Sequence, residues 1–275
     1  MADLPTASPG IIRMASVDWL TATARSDFGR AEFQRLAAVI GRPLAGLGNA
    51  VKPWTWQGYI GSQCGELTWG ERRDGAILRL SGPLAADHWR RVSAAASNIS
   101  RLDLQVTVFH NPFPDHLAYQ GYHQLLALYP TEDERPNFDC RLNSHGGETL
   151  YLGRGASDKY ARLYNKAKES PDPAYRDCWR YEVELKGQAA ALASRRLMSS
   201  DAETAQVIAY VWRHFNDRSV APTFANASPN GLLSVPRARS TDERRLSWLT
   251  LQVRACVQQL VAKGRMQDVR AALGL

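Results

Sequence analysis

Sulfur is scarce in this chain, and no pair of histidines is spaced to hold a metal. Four cysteines in 275 residues (Cys64, Cys140, Cys178 and Cys256) lie far apart, with no C-x-x-C and no Cys/His spacing. That excludes a zinc knuckle and a disulfide framework and leaves reduced thiols as the expectation. The six histidines include no His-x-His, so a histidine-bound metal nuclease is unsupported. No apolar run approaches the roughly 18 residues needed to cross a bilayer. The opening MADLPTASPG lacks the basic start and apolar core of a secretory signal. There is no internal repeat, no low-complexity tract, and no glycine spacing of a P-loop or dinucleotide fold.

What remains is an ordinary globular composition, 44% hydrophobic and 22% charged, enough for one large domain or a domain with an appendage. Thirty-four Lys+Arg against 27 Asp+Glu give a net charge of +7, which favours a polyanionic partner.

Alternation and turn residues set the expected organisation. Residues 1–12 form a loose tail. A strand is expected over Ser16–Thr23 and a helix over Arg30–Ile40. Glycine-punctuated strands should fill Trp54–Ser81, followed by an alanine-rich helix, Leu84–Ser97. The clearest strand is Arg101–Phe109, where Leu102, Leu104, Val106 and Val108 alternate with Arg101, Asp103, Gln105 and Thr107. A helix over Leu117–Leu128 and a charged loop over Pro130–Asp139 come next. Strands at Thr149–Gly153, Tyr160–Lys166 and Trp179–Lys186 lead into a helix-prone stretch. Helix dominates from Thr204, with an irregular piece at Ala221–Pro236 and a last helix from Asp242 to Leu273, broken at Gly264. The expected fold class is α+β, a largely antiparallel sheet flanked by helices with a helical C-terminal segment. The expected divisions are the tail 1–12, a catalytic domain 13–198 and the helical segment 199–275.

If these strands share a sheet, one face collects Arg101, Asp103, Gln105 and Thr107, then Tyr160, Arg162, Tyr164 and Lys166, then Arg180, Glu182, Glu184 and Lys186. By pattern alone, a solvated face of cross-strand ion pairs is the plainer reading. The chemical reading is phosphoryl transfer onto a tyrosine. Asp103 and Glu182 are hard oxygen ligands for Mg²⁺ or Mn²⁺, and Arg162 and Lys166 flank Tyr164 as cations that favour a phenolate. Between two of these strands, Gly153, Gly155, Ser157 and Asp158 form a tight turn in which Arg154 and Lys159 add positive charge suited to a nucleic-acid backbone. Eight tryptophans are available for base stacking, although Trp19, Trp179 and Trp248 fit a core.

Three blocks then resemble the replication initiation factor family of rolling-circle plasmid initiators, filamentous-phage replication proteins and conjugative-element relaxases. They are Arg101-Leu102-Asp103; Tyr151-Leu152-Gly153 through Ser157-Asp158 and Arg162-Leu163-Tyr164-Asn165-Lys166 to Glu169; and Arg180-Tyr181-Glu182-Val183-Glu184-Leu185-Lys186. Val17-Asp18-Trp19-Leu20, Gly58-Tyr59 with Leu78–Gly82, and Arg244–Leu249 through Leu275 add to the likeness.

The resemblance implies a nicking enzyme in which Tyr164 attacks an origin phosphodiester, becomes joined to the 5′ phosphate and frees a 3′-OH. It implies a divalent metal on Asp103 and Glu182, with Asp18 a third ligand, and phosphate contacts from Arg101, Arg154, Lys159 and Arg180. Thr107 departs from the family's R-x-D-x-x-x-D pattern and leaves the number of acidic ligands open. Tyr160 and Tyr151 compete with Tyr164 for the nucleophile. The implied partners are origin DNA, a host helicase and polymerase, and a second copy of the chain, in a bacterial cytoplasm and without a membrane. A conjugative relaxase and a non-cleaving DNA-binding regulator on the same scaffold are the rival functions.

Overall fold

Nine strands, each antiparallel to its neighbours, form a single sheet in the computed structural model of the chain. The structure describes residues 10–23, 29–40, 58–62, 65–70, 75–220 apart from 134 and 145, positions 222 and 224, and most of 257–273. In chain order these contain β1 (Ile11–Thr23), α1 (Gly29–Ile40), β2 (Gly58–Ser62), β3 (Gly65–Gly70), β4 (Gly75–Ser81), α2 (Gly82–Ala95), β5 (Ile99–Phe109) and α3 (Leu117–Leu128). Then follow β6 (Phe138–Leu142), β7 (Glu148–Leu152), β8 (Lys159–Asn165), the single turn α4 (Lys166–Glu169), β9 (Cys178–Lys186), α5 (Gly187–Met198), α6 (Glu203–Asn216) and α7 (Met266–Leu273). The sheet order is β2-β3-β4-β1-β5-β9-β8-β7-β6. The fold is α+β, as the alternation implies.

The chain divides into two compact units, Met1–Val235 and Pro236–Leu275. In the first, the apolar side of each central strand joins one core with the helices. Leu102, Leu104, Val106 and Val108 of β5 and Tyr181, Val183 and Leu185 of β9 share it with Trp89 of α2, Ala193 and Leu197 of α5, and Val207, Val211 and Phe215 of α6. Tyr181 meets Phe215 edge-on at 5.1 Å. Burying such side chains contributes about 1.5–3 kcal/mol each.

The same junction is used twice to lay a helix onto the sheet. Gly82 follows β4 with φ +54° and Gly187 follows β9 with φ +52°. A side chain is disfavoured in this left-handed region, so glycine lets the chain turn directly from strand into α2 or α5.

Several boundaries differ from those expected. Residues 11 and 12 are strand, not tail, because Ile11 and Ile12 pair with Phe109 and Val108. The charged segment before Asp139 ends in β6, an edge strand paired to β7 from Phe138–Leu152 to Leu142–Glu148. Edge strands bury little, so β6 carries a weak apolar signal. The first unit extends past residue 198 to Val235, because α6 presents a buried stripe to the sheet. Gly264, with φ +73°, breaks the chain ahead of α7 as expected. In the second unit α7 is preceded by helical residues at 257, 258, 260 and 261; most of the rest of the expected 242–265 helix, and Trp54–Gln57, lie outside the described residues.

Candidate active site

The registers of β5, β9 and β8 bring the polar sides of the three strands together. Glu182 lies opposite Gln105 on one side and Arg162 on the other, Arg180 opposite Thr107 and Tyr164, and Glu184 opposite Asp103 and Tyr160. The period of two then puts Asp103, Gln105, Thr107, Arg162, Tyr164, Arg180, Glu182 and Glu184 on one face, away from the helices. Most are buried by one another. Charges so shielded persist only when paired, and these are paired.

Tyr164 Oη donates to Glu182 Oε2 at 3.2 Å. The other Glu182 oxygen accepts from Arg162 Nη2, which also lies 3.7 Å from Asp103 Oδ2. One cationic nitrogen therefore stands between two carboxylates. Arg101 grips Asp103 with two bonds of 2.8 and 2.6 Å and reaches Glu184 at 3.0 Å. Arg101 in turn lies 4.5 Å over the Trp19 ring. Lys186 completes the row at 2.7 Å from Glu184.

On the other side of Tyr164, Arg180 is oriented by a chain of neutral groups. Its Nε donates to Thr107 Oγ1 at 2.9 Å, Thr107 donates to Gln105 at 2.7 Å, and Gln105 donates to Ser16 at 2.9 Å. Its Nη1 lies 3.4 Å from Asp18. Asp18 falls where the β1–β5 register shifts between Val17 and Trp19. Such a bulge re-aims a side chain.

Burial and neighbouring charge shift the protonation of this face. Burial and the Glu182 carboxylate raise the Tyr164 phenol well above its ordinary value, with Arg180 opposing. The phenol is thus a neutral donor at neutral pH and needs a proton acceptor to react. Burial raises Asp103 to about 8; the Arg101 hydrogen bond opposes this, and Glu182 adds to it. Burial raises Asp18 too, against the pull of Arg180. Burial disfavours the Arg162 charge, but Glu182 and Asp103 outweigh it and raise its affinity for the proton.

Among the ten residues singled out from sequence, Asp18, Arg101, Asp103, Arg162, Tyr164, Arg180 and Glu182 converge here. Lys166 also belongs to the site, but not as a strand residue. The Asn165 side chain accepts from Lys168 N at 3.0 Å, caps α4 and ends β8 one residue early. Lys166 pairs with Glu169, and its Nζ lies 5.9 Å from the Tyr164 ring and 5.0 Å from the Tyr175 ring. Two residues stand elsewhere. Lys159 shares the face of Ala161 and Leu163, where burial and then Arg218 lower its proton affinity. Arg154 lies in the turn after β7 and donates to Asn137 at 2.7 Å. Tyr160 and Tyr151 stack on each other at 5.8 Å.

Sequence reasoning missed Ser16 and Tyr175. Ser16 gives no sign of its role until β1 is paired with β5. Tyr175 ends a single 3₁₀ turn, Pro173–Tyr175, too short to give a period, yet its ring lies 5.4 Å from Arg180.

Among the described residues no three of His, Cys, Asp and Glu converge on one metal position. Asp103 and Glu182 do converge, on the nitrogen of Arg162. Two carboxylates suit Mg²⁺ or Mn²⁺, which commonly take one or two from the protein and complete their shell with water and substrate phosphate. The two carboxylates are donors of the kind such an ion takes, and Arg162 Nη2 holds the position between them.

The family model described as replication initiation factor matches residues 128–268, just over half of the chain. The chain belongs to the replication initiation factor family. As a member of that family it also shares a fold with a rolling circle replication initiator protein from Geobacillus stearothermophilus. The TM-score is 0.50 at 15% identity, over 85% of this chain and 91% of the other. No curated protein matches it. No described helix is long and apolar enough to cross a membrane.

Proposed function

We propose that this family member is a rolling-circle replication initiator that cuts and rejoins one DNA strand at an origin through Tyr164. The bond from the Tyr164 phenol to Glu182 carries this reading, because it pairs a nucleophile with a proton acceptor beside Arg162, Arg180 and Lys166. Glu182 takes the phenolic proton as Tyr164 Oη bonds to phosphorus. The P–O bond to the 3′ oxygen breaks, the 5′ phosphate stays on tyrosine, and the 3′ oxygen leaves as a hydroxyl once protonated. Arg162, Arg180 and Lys166 offset the charge that gathers on the phosphoryl oxygens. Asp103 and Glu182 would hold Mg²⁺ or Mn²⁺, which as a Lewis acid polarises the scissile phosphate.

Thr107 does not weaken this reading. It links Gln105 to Arg180, so the position that departs from the family's acidic pattern orients a phosphate-binding cation. Asp18 likewise serves Arg180. Arg101 acts through Asp103, and origin DNA, a host helicase and a polymerase are the expected partners.

The test is incubation with supercoiled origin DNA and Mg²⁺ or Mn²⁺, with Tyr164→Phe alongside. A nicked circle carrying protein on its 5′ end, absent with Tyr164→Phe, is the expected result. Tight origin binding by the wild type without any cut would instead support a regulator.

A further inference from the structure

Beyond the end of β8 lies a cavity of about 590 Å³, within the size range of small-ligand sites. Three connections wall it. That from β5 to α3 contributes Phe113, Asp115 and His116, that from β6 to β7 contributes Gly146, and that from β8 to β9 contributes Lys168, Asp172 and Arg176. The last connection also serves the candidate active site, because its Lys166 and Tyr175 stand beside Tyr164 and Arg180. It is thus a shared wall, with the nucleophile on one side and the cavity on the other.

We propose that this cavity holds one unstacked nucleotide of the cut strand, a few positions from the scissile phosphate, with a base that bears an exocyclic amino group. The proposal rests on the nicking role of Tyr164. Phe113 supplies the stacking platform; its ring lies nearly parallel to Trp179, 13° and 5.9 Å away, and Trp179 is fixed by a 3.1 Å bond to Pro114 O. Aromatic side chains stack on unpaired bases whatever the base, because every base has a π-face.

Four carboxylates line the cavity, Glu148 from within and Asp115, Asp172 and Asp177 nearer its mouth. Glu148 is buried and oriented by His116 and by Tyr119 N, the latter at 3.2 Å. The Asp115 and Asp177 side chains also line the cavity, and neither makes a hydrogen bond or ion pair among the described residues. A lining so rich in carboxylates accepts the amino groups of adenine, cytosine or guanine, while thymine, whose edge offers two carbonyl groups and a single N–H, pairs poorly. At the exposed rim, the Lys168 and Arg176 side chains have no acidic partner among the described residues, so a backbone phosphate can be held there.

Saturation-transfer NMR of the full chain with dAMP, dCMP, dGMP and TMP tests this. At least one amino-bearing nucleotide should bind about tenfold better than TMP. Phe113→Ala should abolish that binding. Because Phe113 also supports Trp179, Arg176→Glu at the exposed rim provides a second variant, expected to weaken binding without unfolding the chain. Tyr164→Phe should bind as the wild type does. Equal binding of all four nucleotides, binding unchanged in both cavity variants, or no binding at all would overturn the proposal. If selective binding here coexists with nicking by Tyr164→Phe, the nucleophile assignment fails and the cavity stands.

Discussion

Glu182 has two oxygens and two partners, and its chemistry follows from that division. One oxygen faces the phenol it would deprotonate, the other a guanidinium. Glu182→Gln keeps the shape and removes the basicity, so single-turnover nicking should slow by about 10²–10⁴. Unchanged nicking in this variant would reassign the proton acceptor. Arg162 poses a separate question, because its Nη2 stands where an ion between Asp103 and Glu182 would sit, and its buried Nε has no partner. Arg162→Met leaves the two carboxylates without that cation. Its Mn²⁺ affinity, followed by electron paramagnetic resonance, should rise on the order of tenfold, while nicking falls. A lower Mn²⁺ affinity would mean that the ion binds elsewhere. Thr107→Val deprives a buried guanidinium of its acceptor and should destabilise the fold by about 2 kcal/mol, measured by urea unfolding.

At the scale of elements, two glycine junctions and one short cap determine where side chains land. At Gly187 an added Cβ would meet nothing within 4 Å, so Gly187→Ala isolates the backbone term. It should cost about 1 kcal/mol, read as a lower urea midpoint; an unaltered midpoint would show that the junction relaxes. Most elements were legible from sequence because their periods were clean. Arg101–Phe109 alternates without a break, and Leu117–Leu128 has the bounds expected of it. The polar face was legible for the same reason, since alternation alone assigned Tyr164, Glu182 and Asp103 to one side of their strands. What depended on register or capping was not. Asn165 ends β8 through a side-chain bond, so Lys166 joined α4, and Lys159 followed Ala161 and Leu163 to the helix-covered side. Ser16 and Tyr175 became part of the site only through pairing and loop closure, which no local pattern encodes.

For the whole molecule, stability should depend on pH through a residue remote from the site. Burial, with Arg218 and Lys159 nearby, lowers the His214 proton affinity well below its ordinary value, and its Nε2 has no partner. In the folded state His214 stays neutral, whereas the unfolded chain binds a proton as pH falls through about 6.5. Its contribution is therefore complete above that pH and is lost below it, by up to about 1.4 kcal/mol per pH unit. Between pH 7.5 and pH 5 the urea midpoint of His214→Leu should fall less than that of the wild type, while Asp103, raised by burial, acts in the opposite sense and equally in both. Equal slopes in both proteins would place the acid sensitivity elsewhere.

The nucleophile remains the central claim, and the sequence makes it separable from its rivals. Trypsin cuts after Arg141, Arg154, Lys159, Arg162 and Lys166, so Tyr151, Tyr160 and Tyr164 leave on three different peptides. The decisive measurement is mass spectrometry of the trypsin- and nuclease-treated covalent complex formed with origin DNA. A nucleotide mass on Leu163-Tyr164-Asn165-Lys166 is the expected result. The same mass on the peptide bearing Tyr160 or Tyr151, with Tyr164 unmodified, would contradict the mechanism proposed here.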